Sequence, residues 1–594
     1  MAVETTAQAR GDATHTIGEL WRRAVARTID SSAYLVKEGR EWREVGWAEA
    51  SKRVDELAAG FLALGIVKGD RVAILSRTRL EWTLCDFALA SIGAVVVPIY
   101  QTSSAEECAY VLADSGARVF ICENLEQLEK ARDLGAAGPE LTISIEDTGD
   151  RGVSLATVVE RGRAYHAERP EALAAARGSV SPSDVLTLIY TSGTTGNPKG
   201  CVQSHGNWWA LLGAVGKVEG LMAPGDVALL FLPLAHNFAR LVQFAGAARG
   251  FTIAFVPEPN RVGRALMEVQ PTIFPSVPRL YERVYRSVQG RLRQEQGFRR
   301  FLSDRALATG RRAALRRAGG HRIGPLLALQ LRLADRILFA RIKSRFGGRL
   351  RHAVSGGAPL AAEIAEFFAA CGVLILEGYG LTETTSACAV NRPSDYRFGT
   401  VGSALPGVEV ALAEDGEIKV RGETIFQGYH GNPEATAEVM AEGGWLLTGD
   451  IGTIDEDGFV TITDRKKELI VTSGGKKISP GNLEHALEAS AYVSTALVVG
   501  DNRPYLTALI YPDRDETHRA VKGEEGVRTL IQGVVDEVNS HHGDVEQIRR
   551  FALLPRDFSA DDGEITPTLK IRRKICQDHF RDEIERLYGP DRAA

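Results

Sequence analysis

Cysteine is scarce in this chain of 594 residues, which has seven: Cys85, Cys108, Cys122, Cys201, Cys371, Cys388 and Cys576. No two stand at zinc or redox spacing, and an odd, scattered set excludes a disulfide framework; they read as reduced, structural thiols. Nowhere do about eighteen apolar residues run together, which excludes a spanning helix. The N-terminal MAVETTAQARGDATHT lacks the apolar centre of a signal peptide. An excess of one charge is absent too. Lys and Arg number 71 against 76 Asp and Glu, a net charge of -5 that exerts no global pull on nucleic acid. Low apolar content is not among the absences, for 44% hydrophobic and 25% charged residues are the proportions of an ordinary globular protein. The length exceeds what one core serves, so two or more domains are expected in a soluble, cytoplasmic protein.

What is present centres on Tyr190 to Gly200, YTSGTTGNPKG. This stretch follows the apolar run VLTLI, read as a buried strand, and consists almost wholly of glycine, hydroxyl residues and one lysine. Gly193 and Gly196 let backbone N–H groups face an anion. Thr191, Ser192, Thr194 and Thr195 add donors, and Lys199 adds a positive charge. The lysine follows Pro198 and precedes Gly200 and Cys201, so this is no G-x-x-x-x-G-K-[ST] loop opening a helix. It reads as a phosphate loop of another kind.

Before it, helical and strand-like segments alternate. WAEASKRVDELAAGFLAL, RLEWTLCDFALASIG and AEECAYVLADSGA have helical spacing, while RVAIL, AVVVPI and RVFIC are short branched strands. Strands separated by helices predict a parallel, covered sheet with ligands at the carboxyl ends of its strands. After it, VALLFLPLAHNFARLVQF runs from strand to helix with His236 at the junction, a position where a lone histidine is commonly a satisfied polar group. PTIFPSVPRLYERVY repeats the strand-to-helix pattern.

From Arg291 to Arg351 arginines are dense and Glu295, Asp304 and Asp335 are the only acids, with Ile323, Leu326, Leu327 and Leu329 interleaved. Such a basic amphipathic stretch suits an anionic membrane surface, and equally a solvated helix pair packed on the domain. Weak peripheral contact with the inner membrane face is the expectation that it raises.

RLRHAVSGGAPL then exposes backbone at its Ser355-Gly356-Gly357-Ala358-Pro359 turn, and VLILEGYGLTETT sets Tyr379, Thr382 and Glu383 at the end of a strand. An aromatic can cover an adenine, a threonine can bind a phosphate oxygen, and a carboxylate can hold Mg²⁺. Hairpins follow at Asp415-Gly416 and Asp457-Gly458; the acids of IDEDG are turn residues, since the later ligands of a calcium loop are missing. GWLLTGDIG presents Asp450. TDRKKELIVTSGGKKISP, from Thr463, is a charged connection into a last, small α+β block that closes on ITPTLKIRRK.

These motifs, in this order, resemble the AMP-forming adenylating superfamily of acyl-CoA synthetases, peptide-synthetase adenylation domains and luciferases. LPLAH, DRKKEL and TPTLK, with the basic insertion, point to its long-chain fatty acyl-CoA synthetase branch. The resemblance implies an α/β fold with a large N-terminal domain of covered mixed sheets and a β-barrel-like portion over residues 1–463, carrying the insertion at about 291–351. A hinge at 464–469 and a small mobile α+β domain at 470–594 complete it. It implies nucleotide contacts from Thr191, Ser192, Gly193, Thr194, Thr195, Gly196 and Lys199, and from Gly357, Ala358 and Pro359. Further contacts come from Glu377, Gly378, Tyr379, Gly380 and Thr382, and from Asp450, on the ribose hydroxyls, and Arg465. Glu383 with Thr194 would hold Mg²⁺. His236, Ser276 and Gly380 would line the acyl pocket, Asp464 and Lys467 would act at the hinge, and Ser473, Gly474 and Gly475 would admit CoA. Lys570 would be catalytic, with Thr382 and His236.

The implied reaction has two steps. A fatty acid attacks the α-phosphate of ATP and pyrophosphate leaves; CoA then converts acyl-AMP to acyl-CoA and AMP. The alternative is a ligase loading another carboxylic acid onto CoA or a carrier protein. The expected partners are the small-molecule substrates and no nucleic acid, in a monomer or homodimer.

Overall fold

The computed structural model describes residues 15–132, 134, 138–191, 197–473, 476–559, 562–565 and 571–589. Unbroken branched and apolar runs make the central strands. Val95–Ile99 and Val119–Cys122 are buried on both faces, as parallel strands covered by helices must be. They belong to a seven-stranded sheet in the order Val153–Ser154, Leu141–Ser144, Val119–Cys122, Arg71–Leu75, Val95–Ile99, Val185–Thr191, Lys199–Ser204. The first six run parallel, and only the last turns back antiparallel.

A second sheet has nine strands. Its parallel centre comprises Ile375–Leu381, His352–Ser355, Ile273–Ser276, Val227–Leu230, Thr252–Phe255 and Ser32–Glu38. One continuous hydrophobic core joins the two sheets. At its centre Arg240, fully buried on helix Asn237–Arg249, reaches Asp86 with two bonds of 2.6 and 3.1 Å. Trp82, Trp208 and Phe244 surround it at 5.2–5.7 Å. A charge survives in such a place only when paired and hydrogen-bonded, so this pair fixes how the helix leaving His236 packs on helix Leu80–Ser91, and a further bond of 2.7 Å from Arg240 to the Thr187 hydroxyl ties it to the first sheet.

The portion expected to be barrel-like is a five-stranded antiparallel sheet that does not close among the described residues. Val408–Leu412 lies at one edge, and Met440–Ala441 and Val460–Arg465 both pair with the long strand Trp445–Ile454 at the other, with no pairing back to Val408–Leu412. Its hairpins turn as read: Gly416 and Gly458 have φ of +83° and +84°, and Asp455 accepts the N–H groups of Asp457 and Phe459 at 3.0 and 2.9 Å.

Asp464 and Arg465 are not in a loose connection. They end strand Val460–Arg465, opposite Ile451 and Asp450. The chain leaves the sheet at Lys466, whose ammonium lies 2.6 Å from Asp415 and 2.7 Å from Glu417. Beyond it a smaller α+β domain packs its own cores, drawn only from Ile470 onward. They form around strands Val493–Val499, Leu506–Pro512 and Ile548–Leu553.

Candidate functional site

Parallel register brings three polar residues to one edge. At the carboxyl ends of adjacent strands Ser276 pairs with Ser355, and Ser355 with Glu377. All three are buried, and neither serine hydroxyl has a hydrogen-bond partner among the described residues. Burial pushes the Glu377 carboxyl up to about 8, although it accepts from the Leu360 N–H at 3.3 Å. Buried polar groups without partners in a row are costly, and a polar ligand at this edge would satisfy them. The turn beyond Ser355 exposes Gly357, Ala358 and Pro359, with Gly357 at φ +87°.

Parallel pairing stops at Glu377. From Gly378 the same strand forms a hairpin with Ser386–Val390, shifting register between Tyr379 and Gly380. Gly380 is required by close approach, for a Cβ there would lie 1.5 Å from the Ser386 carbonyl. Thr385 in the turn has φ +63° and donates its hydroxyl to the Thr424 carbonyl at 2.6 Å. A β-branched residue in the left-handed region is strained, and this one lies two residues from Glu383.

The hairpin also bonds Asp450, Gln203, Asn237 and Tyr429 from elsewhere in the chain. Tyr379 donates to Asp450 Oδ2 at 2.6 Å, and Arg465 Nε lies 3.1 Å from Asp450 Oδ1. Burial, reinforced by the Asp450 charge, keeps the Tyr379 phenol protonated. The Thr382 carbonyl accepts from Gln203 Nε2 at 2.8 Å and from Asn237 Nδ2 at 3.5 Å. Glu383 accepts the Tyr429 hydroxyl on Oε1 at 2.7 Å, and Lys199 Nζ sits 5.1 Å from the Tyr429 ring centre. Tyr429 therefore links the lysine that follows the phosphate loop to the carboxylate.

Thr191 and Lys199 face each other across the hairpin that closes that loop. Ser192, Gly193, Thr194, Thr195 and Gly196 lie outside the described residues. His236 caps helix Asn237–Arg249, its Nδ1 accepting from the Phe238 N–H at 3.1 Å. Lys467 is exposed in the turn after the sheet, and Ser473 is exposed with its N–H on the Arg503 carbonyl at 2.9 Å. Gly474, Gly475 and Lys570 lie outside the described residues. The chain flanking Lys570 is anchored: Ile565 bridges Ile571, and Arg572 lies 3.2 Å from Glu107. One turn along the same helix, Ala105–Ser115, Tyr110 donates to the Pro198 carbonyl at 3.0 Å. One helix thus touches both the phosphate-loop hairpin and the stretch after Lys570.

Gln203, Tyr429 and Glu107 belong to none of the motifs. Tyr429 reaches the site because 427–430 pairs with the returning strand Lys199–Ser204, a contact across more than two hundred residues of chain. No local pattern carries that signal.

The description "AMP-binding enzyme" matches residues 21–430, and "AMP-binding enzyme C-terminal domain" matches 467–592. The chain is 38% identical over 565 residues to the long-chain-fatty-acid–CoA ligase FadD15 of Mycobacterium tuberculosis, covering 93% of each. It is 30% identical to the long-chain-fatty-acid–CoA ligase ACSBG1 of Rattus norvegicus, covering 97% of this chain and 86% of that one. In fold it is similar to the adenylation domain of a Mycobacterium chelonae carboxylate reductase, with a TM-score of 0.76 at 24% identity over 97% of this chain and 91% of that one. It is also similar to a Mycobacterium tuberculosis fatty acyl CoA synthetase, with a TM-score of 0.63 at 23% identity, covering 96% and 99%.

Proposed function

The chain belongs to the AMP-binding enzyme family, and on that premise we infer that it is an AMP-forming long-chain fatty acid–CoA ligase. It joins a fatty acid to ATP as acyl-AMP with release of pyrophosphate, then transfers the acyl group to the thiol of CoA with release of AMP. The observation that carries the assignment of roles is the convergence of Lys199, Glu383 and the Tyr379–Asp450 pair, drawn from three different sheets, around the hairpin that begins at the carboxyl end of the strand bearing Glu377.

In-line displacement at a phosphate needs charge neutralisation more than acid–base chemistry. Lys199 and the hydroxyls of 191–195 bind the departing pyrophosphate. Asp450, held by Tyr379 on one oxygen and Arg465 on the other, orients toward the ribose hydroxyls. Gly357, Ala358, Pro359 and Glu377 to Gly380 form the adenine side, and Thr382 a phosphate contact. Tyr429 occupies one oxygen of Glu383 and leaves the other for a cation. A lone carboxylate completed by substrate phosphates is a usual Mg²⁺ donor set, and no group of three or more His, Cys, Asp or Glu suited to a metal exists among the described residues. Glu383, with Thr194, would hold Mg²⁺, which neutralises phosphate charge when bound. Lys570 bridges the α-phosphate and the carboxylate. Each such contact contributes on the order of 3–4 kcal/mol in the transition state.

His236, Ser276 and Gly380 border the acyl chain. The C-terminal domain then turns about Lys467, withdrawing Lys570 and presenting Ser473, Gly474 and Gly475 to the pantetheine arm. The enzyme works as a monomer or homodimer without nucleic acid, with peripheral contact at a membrane surface. No helix among the described residues is long and apolar enough to cross one.

The test is ATP–pyrophosphate exchange across acids from acetate to a twenty-carbon fatty acid, followed by CoA. Exchange peaking with long chains and CoA-dependent thioester and AMP are expected. Exchange without CoA turnover would transfer the chain to the carrier-protein ligases.

A further inference from the structure

The basic insertion contains a helix whose leucines point the wrong way for a core. Pro325–Ala334 continues through the π-helical turn Asp335–Phe339. Along it Leu326, Leu329 and Leu333 are 70%, 55% and 54% exposed, and Ile337 is 36% exposed. Their spacing of three and four residues puts them in one stripe. The opposite face, with Ala328, Leu331 and Asp335, looks inward over a cavity of about 490 Å³ also lined by Ala313 and Phe339, while Arg332 is exposed beside the stripe. The neighbouring helix Gly297–Ala318 is by contrast tightly seated: a Cβ on Gly310 would lie 2.2 Å from the Ala370 carbonyl, and Arg311 pairs with Glu366 at 3.0 Å. A soluble helix normally turns its leucines inward, and this one shows them to the outside on a firm base.

The charges around the stripe decide what covers it. Residues 291–351 carry sixteen arginines and one lysine against three acids, in a chain whose net charge is -5. Asp335 is taken by Lys343 at 2.5 Å. Arg312, Arg316, Arg322, Arg332, Arg336 and Arg341 have no carboxylate within ion-pair distance among the described residues. A second copy docking through the same face would set these arginines against themselves, because a two-fold contact is self-complementary. Nucleic acid would match the charge but offers no apolar phase for three leucines. An anionic bilayer offers both, with headgroup phosphates for the guanidinium groups and an acyl boundary for the stripe.

We propose that helix Pro325–Ala334 is the membrane-docking element, with Leu326, Leu329 and Leu333 entering the headgroup–acyl boundary of an anionic phospholipid surface and the flanking arginines binding its phosphates. This deepens the membrane contact of the proposed function by naming the surface; its failure would leave the ligase reading intact. Docking there would let the enzyme take a poorly soluble fatty acid from the bilayer.

The test is co-sedimentation of the full chain with vesicles of phosphatidylcholine alone or mixed with phosphatidylglycerol, at low and high salt. Binding should be about tenfold stronger to the anionic mixture and fall with salt. The triple variant Leu326→Ser/Leu329→Ser/Leu333→Ser and, separately, Arg322→Gln/Arg332→Gln/Arg336→Gln should each lose most of it. Pyrophosphate exchange with detergent-dispersed fatty acid should stay at the wild-type rate, showing that the variants fold. Equal binding to neutral and anionic vesicles, or wild-type binding by the leucine variant, would overturn the proposal. So would a wild-type dimer that the leucine variant dissociates, which would assign the stripe to a second copy.

Discussion

Tyr379 donates its hydroxyl hydrogen to Asp450 at 2.6 Å, and that bond crosses from the nine-stranded sheet to the five-stranded one. The two residues lie in separate motifs, and their contact joins the adenine side of the proposed site to its ribose side. A hydrogen bond to a charged group contributes about 1.5–3 kcal/mol.

Tyr379→Phe should therefore raise KM for ATP about tenfold while kcat changes little. Steady-state kinetics with saturating fatty acid and CoA check this. A fall in kcat at unchanged KM would place the pair in the chemical step instead.

Tyr429→Phe removes the donor on Glu383 but leaves the ring against Lys199. The carboxylate then loses its fixed orientation, and half-maximal pyrophosphate exchange should need about tenfold more Mg²⁺. Glu383→Gln should lose at least about a hundredfold in rate at any Mg²⁺ concentration. A Mg²⁺ titration of all three proteins distinguishes orientation from direct ligation. Unchanged Mg²⁺ dependence in Glu383→Gln would remove Glu383 from the metal's donor set.

Burial raises the Glu377 carboxyl from 4.5 to about 8. Between those values the folded state holds a proton that the unfolded chain has released. The contribution is fully present below about 4.5 and is lost as pH rises toward and through about 8. Glu488, likewise raised to about 8 by burial, acts in the same direction. Urea unfolding from pH 5 to 9 should show wild-type stability falling more steeply than that of Glu377→Gln, by at least about 1 kcal/mol across the window. Parallel curves would mean that Glu377 ionises normally in the folded protein.

Lys467 sits beyond the last strand residue, in the turn where the backbone is free of sheet pairing, whereas Asp464 is paired with Ile451. Lys467→Pro should spare acyl-adenylate formation and slow thioester formation. Lys570→Ala should do the reverse, lowering adenylation by about 10²–10³-fold with little change in ATP binding. Single-turnover assays of each half-reaction separate the two. Equal loss of both steps in Lys467→Pro would refute a pivot at that turn.

Sequence alone determined much of this protein. The alternation of branched runs with helical spacing predicted strands such as Arg71–Leu75 and Val119–Cys122, because covered parallel strands and their crossover helices each leave a local period. Membership of the AMP-binding enzyme family was legible in YTSGTTGNPKG, SGGAP and EGYGLTET because glycine turns, hydroxyls and charges stand close together there in short, local patterns. Local pattern did not extend to pairing. That Asp464 and Arg465 finish a strand, and that the barrel-like portion stays an open sheet, depends on partners far along the chain. The same holds for Tyr429 on Glu383, Gln203 on Thr382 and Arg240 on Asp86. Composition announced a basic, apolar insertion, but only packing decided which face of Pro325–Ala334 carries its leucines outward. A period of 3.6 residues places side chains on one stripe without saying what that stripe meets, and that is settled by contacts between distant segments.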